Sequence, residues 1–271
     1  MDLASAERSP PRLSPIGVAA GLLGLTLAAW ILVFDRMRGM DAGPGTDLGG
    51  LAWFLGIWVT MMAAMMLPSV APMVLACARV TKERARREQA VFVPTWIFLV
   101  GYLLAWTVYG VAGYAVFRVI DAIDGGVLAW DRAGPYVAGG AILVAGLYQL
   151  TPIKDVCLRH CRSPLHFILH GWHEGSAGAV RMGFVHGLYC VGCCWGLMVV
   201  LFSLGVMSLV WMAVIAGIIF AEKVLPWGPR LTRVGAVAFI ALGLWIAFAP
   251  DSVPGLTSPN KDMGPSMGMS R

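Results

Sequence analysis

Five of the six cysteines and all five histidines of this 271-residue chain lie between Cys157 and Cys194. Thiolate and imidazole are the ligands that soft and borderline metals such as Cu(I) and Zn(II) select. The densest set reads His186-Gly-Leu-Tyr-Cys190-Val-Gly-Cys193-Cys194. On a helix, positions 186, 190 and 193 follow i, i+4, i+7 and share an arc of roughly 60°. Gly192 and Gly196 fall on the opposite side, at the spacing that lets two helices approach closely. His186, Cys190, Cys193 and Cys194 are therefore the primary metal-ligand candidates. The competing role is packing, because cysteine is also a small apolar residue.

Further soft ligands surround this set. Cys157-Leu-Arg-His160-Cys161 places two thiols one helical turn apart, with His160 beside them. His166, His170 and His173 repeat the i, i+4, i+7 spacing, either as ligands or as the polar stripe of an interfacial helix. Met61-Met62-Ala-Ala-Met65-Met66 forms two one-turn pairs of thioethers, which suit Cu(I) and also fill cores. Met62, Met65 and Met66 join the candidates because they fall about as deep in their apolar segment as Cys193 and Cys194 do in theirs. Cys77 and Glu222 are secondary candidates. Glu222 and Lys223 end an apolar run, where such a pair usually caps the helix and snorkels to the interface. Met263, Met267 and Met269 are weaker candidates in the tail.

The elements that must hold these residues are apolar helices. Hydrophobic residues make up 58% of the chain and charged residues 13%, about half the charge of a soluble domain. Uncharged runs cover 13–34, 48–78, 89–117, 133–153, 182–221 and 234–250. A span needs roughly 20 apolar residues, so the run 182–221 divides into two, with a turn near Ser203 to Ser208. The expected fold is all-α: a polytopic transmembrane helix bundle of about seven spans, with residues 1–14 and 251–271 as flexible ends and 15–250 as a single domain. The first span is expected to be retained rather than removed as a signal peptide. Pro68 and Pro72 are expected to kink the second span. The segment from Lys154 to Arg181 is expected to hold an interfacial or re-entrant helix.

The net charge of +5 follows from topology and requires no nucleic acid. With the N-terminus inside, fourteen Lys and Arg residues fall on the cytoplasmic side and six outside, which fits an N-in, C-out protein of the bacterial cytoplasmic membrane. No GxxxxGK[ST] loop is present, so no nucleotide partner is expected.

The segments Met61-Met-Ala-Ala-Met-Met-Leu-Pro68, Cys157-Leu-Arg-His-Cys-Arg-Ser-Pro-Leu165 and Arg181-Met-Gly-Phe-Val-His-Gly-Leu-Tyr-Cys-Val-Gly-Cys-Cys-Trp-Gly-Leu-Met198 carry a family resemblance, as does Gly205-Val-Met-Ser-Leu-Val-Trp-Met212. The chain resembles the bacterial family of predicted metal-binding integral membrane proteins, over about residues 50 to 224. The resemblance implies metal association, with copper handling. Ser208 stands where that pattern leads one to expect Asn.

Three functions compete at this level. The first is Cu(I) handling, with Zn(II) as the alternative metal. Its partners would be the lipid bilayer and a copper-binding protein or another membrane subunit. The second is membrane thiol redox chemistry at Cys190-Val-Gly-Cys193; whether the chain is an enzyme stays open. The third is a structural or assembly subunit of a larger membrane complex.

Overall fold

The computed structural model describes residues 15–38, 48–87, 95–124, 132–205, 208–249 and 252. Among them every regular element is a helix: α1 (Pro15–Met37), α2 (Leu51–Arg86), α3 (Trp96–Asp124), α4 (Gly134–Tyr148), α5 (Pro152–Arg162), α6 (Pro164–Gly171), α7 (Gly175–Gly205), α8 (Leu209–Val224) and α9 (Gly228–Phe248). Residues 1–14 and Met263, Met267 and Met269 of the tail lie outside the described residues.

The all-α bundle is as the composition requires. Each of the seven expected spans contains a helix, but the helices differ in reach. Five of them (α1, α2, α3, α7 and α9) are long and apolar enough to cross a membrane, and a sixth crossing results if α4 and α5 count as one bent span. With 16 residues, α8 falls short of that length. The run 182–221 does divide near its middle: α7 ends at Gly205 and Ser208 caps α8 in an extended conformation.

The break between α4 and α5 has a local cause. Thr151 adopts an extended conformation and its hydroxyl accepts from the Lys154 amide, while Pro152 supplies the preset φ of a first helical turn. The chain turns by 65° there. The run read as ending at Ile153 thus yields its last residues to a second helix, which carries Lys154 into the interior. Despite its two prolines, α2 runs continuously from Leu51 to Arg86, and the Ser69 hydroxyl donates to the Met66 carbonyl at 2.9 Å.

Glycine sets the helix contacts. Along the α3–α7 crossing, Gly101 faces the Val180 carbonyl and Gly183 faces the Phe98 carbonyl, so neither has room for a Cβ. Gly139 and Gly243 do the same for α4 and α9, where a Cβ on either would stand 2.5–2.6 Å from the other's carbonyl oxygen. Small residues admit such backbone approach, and dispersion contacts along the seam then hold the pair. In α2, the Trp58 ring stacks between Phe54 and Phe202 and its indole N–H donates to the Trp106 carbonyl at 2.9 Å. The outward faces remain apolar: Leu23, Ile31, Val116, Ile123, Val144, Val234 and Phe248 are all exposed.

Candidate metal centre

Helix α7 is buried on several sides by α3, α4, α5 and α8, and its middle carries the thiols. Cys190, Cys193 and Cys194 are at most 2% exposed. Spacings of three and four residues bring them onto one face. Their sulfurs all lie within 4.8 Å of one another, with Cys193 and Cys194 at 3.4 Å. The Cys193 thiol also donates to the Cys190 carbonyl at 3.2 Å. All six cysteines are free thiols.

The bent helix α5 brings a fourth sulfur. Cys161 stands 3.7 Å from Cys193, sulfur to sulfur. Cys157, one turn earlier, lies against Gly192, where a Cβ would meet its sulfur at 2.7 Å. The pair expected to act together is therefore divided between two contacts on α7. Gly192 and Gly196 do form the packing side of that helix, Gly192 against Cys157 and Gly196 against Tyr148 and Ala145.

The remaining sequence candidates disperse. His186 is buried among the rings of Phe98, Tyr102 and Phe167, outside the group of mutually close thiols, and its Nδ1 has no hydrogen-bond partner. One turn of helix rises about 5.4 Å, so a shared face does not by itself join His186 to Cys193. His160 stacks on Tyr189 with ring centroids 4.2 Å apart, and its Nδ1 bonds the Val156 carbonyl. His173 accepts from Arg181 at Nε2 and donates from Nδ1 to the Gly171 carbonyl, so both ring nitrogens are engaged. His166 and His170 lie on α6, His166 exposed. Cys77 is buried on α2. Met61, Met62, Met65 and Met66 are no more than 1% exposed. Helix α2 meets α7 where the Trp58 and Phe202 rings lie 5.5 Å apart.

One buried cation touches the thiols and a second is buried on α5. Lys223 Nζ donates to Cys190 Sγ at 2.9 Å and reaches Ser69 Oγ at 3.5 Å. Tyr102 Oη lies 3.0 Å from the same sulfur. Lys154 is fully buried; its ammonium pairs with Glu222 at 2.8 Å and also contacts Gln149. Arg162 closes the network by donating to the Glu222 and Leu225 carbonyls at the end of α8. The snorkelling expected of Glu222 and Lys223 does not occur: they are 1% and 8% exposed and point to different partners. Glu222 spends one oxygen on Lys154, and its other oxygen has no partner. The sequence flagged these two residues by position but gave no reason to direct Lys223 at a sulfur. It offered no signal at all for Tyr102.

Free thiols gathered around a shared point in a helical interior are a donor set that soft metals select. The chain belongs to the PpoB2 family of copper chaperones, which it matches over residues 55–246, a stretch that includes every thiol described above. Neither the curated proteins nor the solved structures yield a match.

Proposed function

We propose that this protein is a membrane-embedded copper chaperone that receives Cu(I) on the thiols of α7 and passes it to a protein partner. The observation that carries the reading is the convergence of Cys190, Cys193 and Cys194, all buried, with sulfurs within 4.8 Å of one another. Thiolates at low coordination number match Cu(I). Zn(II) would want four donors at one point, and neither His186 nor Cys161 belongs to the group in which every ligand atom lies within 4.8 Å of every other. Cys161 is half-buried on α5 and touches Cys193, so it suits the receiving end of the site, with Cys157 behind it. Successive sulfur ligands let an ion move by exchange without release into water. Met62, Met65 and Met66 are then a thioether reserve on α2.

Exposed apolar side chains along α1, α3, α4 and α9 support a lipid environment, since so much apolar surface is costly in water. With all seven apolar runs crossing, α8 included, the charge asymmetry supports an N-in, C-out orientation in a bacterial cytoplasmic membrane. Copper analysis of protein purified in detergent tests the proposal. Wild type retains copper, and the Cys190→Ser/Cys193→Ser/Cys194→Ser variant loses it; equal copper in the two would remove the thiol site.

A second reading has its own observation. Cys161 and Cys193 are 3.7 Å apart and could form a bridge if a disulfide partner accepted their electrons. Thiol trapping separates the readings: redox work produces a Cys161–Cys193 disulfide in cells, whereas copper binding leaves both thiols reduced.

A further inference from the structure

The Lys223 ammonium is a positive charge placed where a copper chaperone would be expected to hold none. It is 8% exposed, and its nitrogen bonds a candidate ligand sulfur at 2.9 Å. A cation beside an incoming cation is repulsive unless the site carries more negative charge than the metal brings. Two thiolates around one Cu(I) make such a complex, with one net negative charge. In a buried, low-dielectric setting an isolated charge costs several kcal/mol, and a partner at contact distance offsets that cost. Lys223 differs from the other cations that contact the end of α8. Lys154 is already paired with Glu222, and Arg162 is committed to carbonyl oxygens at the end of α8. Among the described residues, Lys223 has only neutral oxygen in Ser69 and the Cys190 sulfur.

Resting on the copper reading above, we infer that Lys223 is the built-in counter-cation of a mononuclear Cu(I)–dithiolate complex at Cys190 and its neighbours. It is a positioning residue, because it acts through sulfur and not on copper. One ammonium balances one such complex, in which two sulfurs contribute minus two and the copper plus one. The carboxylate next in sequence, Glu222, is held away by Lys154, so it does not quench Lys223. Tyr102 shares the same sulfur at 3.0 Å but brings no charge. The two neighbours therefore separate charge from hydrogen bonding.

The test is a Cu(I) competition titration against a chromophoric chelator, on full-length protein in detergent, for wild type, Lys223→Gln, Lys223→Arg and Tyr102→Phe. Charge compensation predicts that Lys223→Gln weakens Cu(I) binding by about tenfold or more, the scale of an opposite charge within hydrogen-bond reach. Lys223→Arg stays closer to wild type than Lys223→Gln, and Tyr102→Phe loses less than Lys223→Gln. Wild type alone supplies a second test that needs no variant to fold: two sulfurs around the first Cu(I) bound, read by X-ray absorption at one equivalent of copper, support the inference, and three sulfurs on that ion, which would carry two net negative charges, overturn it. Equal losses in Lys223→Gln and Tyr102→Phe, or none in Lys223→Gln, also overturn it while leaving the copper reading intact. A wild type that takes up no Cu(I) ends both.

Discussion

Replacing Glu222 by Gln removes the negative charge from the Lys154 ion pair and keeps the shape. The pair is 2.8 Å long with side chains 0% and 2% exposed. At an effective dielectric of about 20, a unit pair at that distance attracts by on the order of 6 kcal/mol. Desolvation offsets much of this, so the intact pair adds little net stability. Breaking it is different, because Lys154 stays buried without a counter-charge, at a cost of about 3–5 kcal/mol. The damage should reach the thiols, since Lys154 opens α5 and the same helix holds Cys161 against Cys193. The assay is denaturant unfolding in micelles for wild type, Glu222→Gln, Lys154→Met and the double variant. Each single change should cost about 3 kcal/mol or more. The double variant should recover much of that, giving a large coupling energy. A Glu222→Gln loss below about 1 kcal/mol, the level of an exposed pair, would refute the argument.

Two further outcomes follow from the same contacts. Gly192→Val sets a branched side chain where even a Cβ would lie 2.7 Å from the Cys157 sulfur; it should lift α5 off α7 and raise the alkylation rate of Cys161 several-fold, and an unchanged rate would mean that α5 is not held there. In the unperturbed protein, alkylation should reach half-buried Cys161 before fully buried Cys190, and Cu(I) should slow both; labelling followed by peptide mass analysis reads the order, and faster reaction at Cys190 would contradict it.

What the sequence disclosed was what lies within one helix. Cys190, Cys193 and Cys194 converge because residues three and four apart share a face, and that holds wherever the helix packs. The apolar runs likewise identify helices without reference to neighbours. Contacts between helices were not legible. Lys223 meets Cys190, and Tyr102 meets the same sulfur, only because α8 and α3 pack on α7 at one depth. The same holds for Cys161, whose docking depends on the 65° bend at Thr151-Pro152. Both residues of that bend are ordinary helix-start signals, but they sit inside an uncharged run and were absorbed into it. His186 shows the opposite error. Its helical register matched Cys190, yet its ring packs with Phe98, Tyr102 and Phe167. Register fixes direction around a helix and leaves the height along it to be counted separately.

Copper held by sulfur on α7 leaves a signature at the copper absorption edge. X-ray absorption of the Cu(I)-loaded protein should show a shell of two or three sulfur neighbours that disappears in the Cys190→Ser/Cys193→Ser/Cys194→Ser variant. A shell made of nitrogen or oxygen, or a sulfur shell that survives in the variant, would contradict it.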